Sequence, residues 1–316
     1  MLNNVKKLNV TKISVIISTY NRAQLITGAI DGVLKQTYRD FEIIVVDDGS
    51  TDGTKEILKS YQDKIRYYYQ KYRGVSAARN RGIQEAMGEY IVFTDDDVIV
   101  DPHWLGSLEL CFRENRCDAV GGRVLPIYPD DTPLWVKNNP TKISGGVVIY
   151  DYGEETIIHD PSRYRFIGAN FAFRKQIFDE CGCFREDLKY GGRIALGEDI
   201  EFIERIMKKN KILYYCGKAV IYHPVDIKRL TLRHVARWSM ALGCFSAHLE
   251  QEEKDKHFIY WFGVPRYLLR GIMVDFLRLC TSVFHHPALY DACRIFFYKV
   301  GMIREYRQMM KDGKIT

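Results

Sequence analysis

Between residues 13 and 104 short apolar runs alternate with stretches of helical spacing, and three of the runs end abruptly in polar residues. ISVIIST (13–19) is β-branched and almost unbroken, as a strand buried on both faces must be. It closes on Ser18-Thr19-Tyr20. Helical spacing follows over 23–35. FEIIVV (41–46) is a second strand and runs into Asp47-Asp48-Gly49-Ser50, where Ser50, Thr51 or Asp52 can cap a helix over roughly 52–62. IRYYYQ (65–70) alternates as a third strand, and 75–87 reads as a helix closed by Gly88. YIVFT (90–94) is a fourth strand that passes straight into Asp95-Asp96-Asp97, and Pro102 opens the next helix, where a missing N–H is tolerated. Such alternation folds as an α/β parallel sheet with helices on both faces. Ligands of these sheets bind beyond the carboxyl ends of the strands, so the three polar clusters are expected to converge on one crevice.

The rest of the chain is less regular. Residues 125–165 carry Pro126, Pro129, Pro133, Pro140 and Pro161 and read as loops and short strands over the crevice. EDIEFIERIMKKN (198–210) is helical, with Ile200, Ile203, Ile206 and Met207 on one face. Two short strands are expected around 212–215 and 219–222, ending at His223-Pro224. Hydrophobic residues are 47% and charged residues 27% of the 316, a globular balance that excludes a disordered or collagen-like chain. The start, MLNNVKKLNV, does not read as a signal peptide. The eight cysteines are scattered with no C-x-x-C pair. They read as reduced, mostly buried thiols of a cytosolic protein rather than as disulfides or a zinc site.

Three adjacent acids at the end of a buried strand repel one another. A hard divalent cation would relieve that cost: Mg2+ or Mn2+ takes oxygen ligands, commonly one or two carboxylates with substrate phosphates. On the residues alone, an exposed acidic turn capping the helix at Pro102 explains the acids at 95–97 equally. A plain helix cap explains Glu198 and Asp199, and a lone His223 is more often structural than a ligand. No G-x-G-x-x-G follows the first strand and no Walker-A pattern occurs, which disfavours a nicotinamide dehydrogenase and a P-loop NTPase.

Taken together, SVIISTYNR (14–22), QTYRDFEIIVVDDGSTDGT (36–54), GVSAARNRGI (74–83) and GEYIVFTDDD (88–97) resemble the inverting family-2 glycosyltransferases. GANFAFRKQIFDECGCF (168–184), GEDIEF (197–202) and YHP (222–224) continue the resemblance in family order over roughly 12–225. It implies a GT-A, Rossmann-like central sheet, mostly parallel and flanked by helices, with a catalytic domain over 1–225 and a helical extension over 226–316. Carried over by position, it implies that Ser18 and Tyr20 contact uracil and ribose, with Tyr20 stacking on the base and Arg22 close by. Asp48 accepts from the uracil ring nitrogen and Asp47 supports that loop. Arg79 and Asn80 lie near the donor, and Gly168 and Asn170 line the sugar and acceptor side. Asp95, Asp96 and Asp97 are the DxD element: Asp97 the foremost ligand of Mn2+ or Mg2+, Asp95 beside it, Asp96 towards the ribose, and His223 a further metal or diphosphate ligand. Asp199 is the catalytic base, with Glu198 next to it. The implied reaction moves a sugar from a UDP-sugar to a hydroxyl of a glycan or lipid-linked acceptor. Two departures, Gly182-Cys183 before Phe184 and Asn210 after the 198–210 helix, touch none of this chemistry. Two other readings stay open: a nucleotidyltransferase, against which Tyr20-Asn21-Arg22 lacks the glycines of a phosphate loop, and a non-catalytic nucleotide-sugar-binding protein.

The net charge is +6, and all of it falls in 226–316, where 15 Lys/Arg meet 9 Asp/Glu; the remaining 31 of each balance in 1–225. A nucleic-acid binder would carry more positive charge than this. A basic region behind a neutral body suits a membrane surface or an anionic ligand, and implies a peripheral protein on a cytoplasmic membrane face. No uncharged apolar run reaches the ~18–20 residues of a span; 258–290 is interrupted by Arg266, Arg270, Asp275 and Arg278. Residues 265–284 read as an amphipathic helix, with Leu268, Leu269, Ile272, Met273 and Phe276 on one face and Arg266, Arg270 and Arg278 on the other. It either packs on the catalytic domain or lies in a bilayer interface.

Overall fold

The computed structural model describes residues 11–143, 145–160, 166–190, 194–195, 197–252 and 258–313. The first ten residues and Pro161, both read above, lie outside them. In chain order the elements are β1 (Ile13–Thr19), α1 (Ile26–Leu34), β2 (Phe41–Asp47), α2 (Thr54–Lys59), β3 (Arg66–Tyr69), α3 (Val75–Glu85), β4 (Tyr90–Thr94), β5 (Ile99–Val100), α4 (Trp104–Asn115) and β6 (Ala119–Ile127). Then come α5 (Leu134–Asn138), β7 (Thr156–Ile158), β8 (Asn170–Arg174), α6 (Gln176–Cys181), β9 (Lys189–Tyr190), β10 (Ile194–Ala195), α7 (Glu198–Lys208) and β11 (Leu213–Pro224). The chain closes with α8 (Leu232–Glu252), β12 (Tyr260–Trp261), β13 (Val264–Pro265), α9 (Arg266–Thr281) and α10 (His286–Lys311).

The central sheet runs β3-β2-β1-β4-β8-β6-β11-β5, with β7 on β11. Its first half is parallel: β1 pairs with β2 from Ile13↔Phe41 to Thr19↔Asp47, and with β4 from Ile13↔Tyr90 to Ile17↔Thr94. This register brings the carboxyl ends of β1, β2 and β4 to one edge, as the β-α alternation requires. Beyond β4 the sheet turns mixed, for β8 is antiparallel to both β4 and β6. The fold is therefore α/β with a large, mostly parallel central sheet flanked by helices. α1 buries Ile26, Ala29, Ile30 and Val33, the i, i+3, i+4, i+7 stripe of an amphipathic helix. α3 lies close on β1 because position 82 is glycine: a Cβ there would sit 2.5 Å from Ile16 Cγ2. Phe93, Phe171, Phe173, Phe178, Phe184 and Phe202 form a continuous aromatic core, most pairs meeting edge to face.

Two expectations change. The short strands at 212–215 and 219–222 are one strand, β11, and Gly217 at its middle marks a close approach rather than a break: a Cβ there would lie 2.2 Å from the Gly153 carbonyl oxygen. Strands β6 and β8, one reaching into the proline-bearing stretch and one following Gly168, had no clear signal.

Two compact units emerge, one of Met1–Leu125, Tyr150–Glu186 and Phe202–Tyr222, the other of Pro126–Ile149, Asp187–Glu201 and His223–Thr316. The division falls inside β11, so that His223 and Pro224 are grouped with the second unit although their strand belongs to the central sheet. In the second unit Val136, Ile143 and Val147 pack with Val225, Leu230, Val235, Tyr290 and Cys293. Helices α8 and α10 touch backbone to backbone through two glycines. A Cβ on Gly243 would fall 1.9 Å from the Tyr298 oxygen, and one on Gly301 2.0 Å from the Met240 oxygen. All eight cysteines are free thiols; six are buried, Cys183 is half-buried and Cys280 is exposed.

Candidate active site

The loops that follow β1 and β2 are laced together. Asn21, in the left-handed region at φ 53°, accepts at Oδ1 from the Thr51 N–H (2.8 Å), and its own N–H donates to Ser50 Oγ (2.9 Å). The N–H groups of Arg22 and Ala23 donate to Thr54 Oγ1 and Asp52 Oδ2. The Thr54 hydroxyl hydrogen bond holds Asp52 below the usual carboxylate range. Residues 21–23 are taken up by this lacing and the Leu25 N–H turns back to the Arg22 oxygen, so α1 starts later than the spacing alone suggests.

Asp47 and Asp48 face different neighbours. Asp47 is buried; it accepts from the Ser50 N–H (2.8 Å) and from the Tyr67 hydroxyl (3.0 Å). Burial, and then that hydrogen bond, raise the Tyr67 hydroxyl above its ordinary range, so it remains a donor. Asp48, also buried, accepts at Oδ1 from Gln70 Nε2 (2.7 Å) and the Arg73 N–H (2.9 Å), and at Oδ2 from the Gly74 N–H (2.7 Å). It thereby shapes the loop between β3 and α3. Gly49, at φ 88°, lets that loop approach, since a Cβ would lie 2.7 Å from the Tyr72 nitrogen. The exposed rings of Tyr20 and Tyr72 meet at 4.7 Å. Ser18 sits opposite Val46 in the register of β1 on β2.

Beyond β4, Asp96 is buried and takes a hydrogen bond from the Thr19 hydroxyl (2.6 Å). Burial pushes its carboxyl up to about 7, with the charges of Asp97 and Asp95 adding and Thr19 and Arg22 opposing. The Arg22 guanidinium lies 3.8 Å from both Asp96 and Asp97. Ligand atoms of Asp95, Asp97 and His223 all lie within 4.8 Å of one another. His223 Nδ1 is 3.0 Å from the Pro224 carbonyl oxygen, which only accepts, so this hydrogen bond needs a proton on Nδ1. Two carboxylates from the turn between β4 and β5 and an imidazole near the end of β11, the strand that pairs with β5, could hold a divalent cation with positions left for phosphate oxygens.

Arg79 is buried over the rings of Phe171 and Phe184, its Nη2 3.4 Å from the Gly168 oxygen and 3.8 Å from Asp95. Asn80 accepts from the Phe184 N–H and donates to the Phe184 oxygen (both 2.9 Å) and to Glu186 Oε1. Asn170 does not line the sugar side. It is 0% exposed, accepts from Trp104 Nε1 (2.8 Å) and donates to the Arg123 and Ala219 oxygens (2.9 Å each). A primary amide with one acceptor and two donors joins three segments at the sheet's centre, and that use withdraws it from any ligand. Glu198 and Asp199 open α7 after Gly197 (φ 88°), and Asp199 Oδ1 accepts from the Ile200 N–H (2.8 Å). Ionised acids are favoured at such a terminus.

Gln70, Tyr67 and Tyr72 were not singled out by their sequence positions, and Thr19 stood only as a member of the polar cluster that ends β1. The signal was present: Thr19 ends β1, Gln70 and Tyr72 stand just past β3, and Tyr67 lies within β3 beside β2.

Residues 14–184 match the family model described as Glycosyl transferase family 2. The chain is 36% identical over 239 residues to glycosyltransferase GlyA of Streptococcus pneumoniae, covering 73% of this chain and 33% of that protein. It is 43% identical over 112 residues to a cholesterol galactosyltransferase of Borreliella burgdorferi (34% and 31% coverage). It is 48% identical over 92 residues to an uncharacterized glycosyltransferase of Rickettsia felis (28% and 15%). The chain thus spans about a third or less of these relatives' length. Among solved structures, the mannosyltransferase PcManGT from Pyrobaculum calidifontis, in complex with GDP-Man and Mn2+, superimposes with a TM-score of 0.59 at 15% identity, over 93% of this chain and 86% of that one. TarS 1-349 of S. aureus, in complex with UDP, gives 0.54 at 18% identity, over 96% and 92%. These likenesses establish the fold.

Proposed function

The chain belongs to glycosyl transferase family 2, and from that premise we propose that it moves a hexosyl or N-acetylhexosaminyl group from a nucleoside diphosphate sugar, a UDP-sugar by preference, to a hydroxyl of a glycan or lipid-linked acceptor with inversion. The observation that carries this reading is the gathering of Asp95, Asp97 and His223 within 4.8 Å, beside the laced loops after β1 and β2. Their oxygen-rich set fits Mn2+ or Mg2+, and the imidazole favours Mn2+. A cation held there supplies Lewis-acid stabilisation of the departing diphosphate.

The chain's own residues do the rest. Tyr20, backed by Tyr72, offers an exposed ring to the base. Asp48 has spent three of roughly four acceptor directions on its loop and keeps one for the uracil N–H. Ser18 and Asp96 belong on the ribose side, Arg22 and Arg79 bring positive charge towards the diphosphate, and Gly168 borders the sugar. Asp199, with Glu198 beside it, takes the proton from the acceptor hydroxyl, whose oxygen attacks the anomeric carbon opposite the diphosphate. One displacement inverts that centre and needs no enzyme nucleophile. The basic 226–316 region carries the protein to a membrane face where a lipid-linked acceptor resides.

Hydrolysis of a panel of UDP- and GDP-sugars, assayed with Mn2+ and after chelation, tests the reading. Release of nucleotide that needs Mn2+ and is lost in Asp97→Ala is expected. Equal UDP affinity and equal Mn2+ response in that variant would remove the metal site.

A further inference from the structure

Helix α9 is about 24 Å long at 1.5 Å per residue, and one side of it is spoken for. Leu268 is buried in a cluster with Val264, Met302, Tyr306 and Met309, against which Leu269 also packs. Asp275, the only acid of the helix, pairs with Lys299 of α10 (2.5 Å). Position 271 is glycine where a Cβ would lie 2.5 Å from the Lys299 ammonium. The apolar stripe expected from the sequence is thus divided: Leu268, Leu269 and Ile272 face inward, while Met273 and Phe276 stand out.

The outward side is apolar and basic. Met273 and Val274 are each 65% exposed, Leu277 60% and Phe276 48%. Arg270 and Arg278 are exposed among them, Arg278 lying 3.8 Å from the largely buried Asp291 of α10, and no carboxylate of α9 itself is exposed. Bare aromatic rings flank both ends: Phe262, 85% exposed between β12 and β13, and Phe284, 99% exposed just after the helix. Soluble monomers seldom leave so many large apolar side chains contiguous in water. No helix among the described residues is long and apolar enough to cross a membrane.

We infer that the outer face of α9, with Phe262 and Phe284, docks on an anionic lipid bilayer surface, the helix lying in the interface. Apolar side chains enter the headgroup boundary and arginines meet lipid phosphates, the pairing that holds interfacial helices. Arg270, with no exposed acid on α9 to meet it, selects an anionic partner, and two copies meeting through this face would bring the same arginines together. The inference deepens the reading of a lipid-linked acceptor but is measured without donor or metal. A failure here therefore leaves the donor-hydrolysis result standing, and the reverse.

The test is sedimentation of the full chain with vesicles of phosphatidylcholine alone and of phosphatidylcholine with phosphatidylglycerol. Binding is expected to the mixed vesicles, weakened by high salt. Val274→Asp/Leu277→Asp should lower the partition at least about tenfold, and Arg270→Gln about fivefold. Leu134→Asp, an exposed apolar site on α5, should bind as wild type. All variants should keep the wild-type circular dichroism and melting midpoint. Three results would each overturn the proposal: no binding by wild type, equal loss in Leu134→Asp, or a wild-type dimer in gel filtration that Val274→Asp/Leu277→Asp dissociates without any vesicle binding.

Discussion

Asp48→Asn isolates the loop-shaping role of a carboxylate that lies among the nucleotide-binding candidates. In the wild type three donors converge on it: Gln70 Nε2 and the Arg73 N–H on Oδ1, and the Gly74 N–H on Oδ2. An asparagine that keeps its carbonyl on the Oδ1 side retains two of them, now without full charge, and turns an NH2 towards the Gly74 N–H. The lost charged hydrogen bond is worth about 1.5–3 kcal/mol. The two retained bonds fall to roughly half their charge-assisted strength, so the substitution should cost about 3–6 kcal/mol. Asp48→Ala should cost more, because it strands all three donors. Urea denaturation at unchanged slope reads the total, and amide hydrogen exchange locates it at Arg73 and Gly74. Donor affinity should fall with it, since Tyr72 is carried on the same loop. If the midpoint stays within about 0.5 kcal/mol of wild type and both amides exchange as slowly as before, the loop does not depend on this carboxylate and the reasoning fails.

Asp199→Asn should bind UDP within twofold of wild type by calorimetry yet lose about 10²–10⁴-fold in transfer rate, the range of a general base; wild-type turnover would remove the assignment. Gly82→Ala should destabilise the first unit by about 1–3 kcal/mol in urea denaturation, because its Cβ would overlap Ile16 Cγ2. An unchanged midpoint would mean that α3 and β1 have more room than their spacing implies.

The parallel half of the sheet was legible because its strands are buried on both faces, and a run such as ISVIIST admits few other states. The antiparallel half was not. Asn170-Phe171-Ala172-Phe173-Arg174 begins with an amide that a motif reader assigns to a ligand, whereas the fold uses it to join Trp104, Arg123 and Ala219. Gly217 looked like a strand break because glycine lacks a side chain; the missing side chain is what allows the Gly153 carbonyl to close in. The residues alone showed the acids as a cluster, and the family resemblance set Asp96 apart from Asp95, Asp97 and His223; what neither gave was the Thr19 hydroxyl that holds Asp96. In α9 the helical period was plain, yet which apolar residues turn inward became visible only from the packing of Leu268 with Met302, Tyr306 and Met309 and the pairing of Asp275 with Lys299 on that side.

The lacing of Asn21 to Ser50 and Thr51, and of Ala23 to Asp52, makes one body of two loops that come from different strands. Under the proposed function, a nucleotide arriving at that edge meets a wall already ordered, so its association loses little chain entropy there. Donor affinity then reports the quality of the contacts themselves. A change at Asn21 would weaken binding mainly through a more unfavourable entropy, with the heat released on contact nearly preserved.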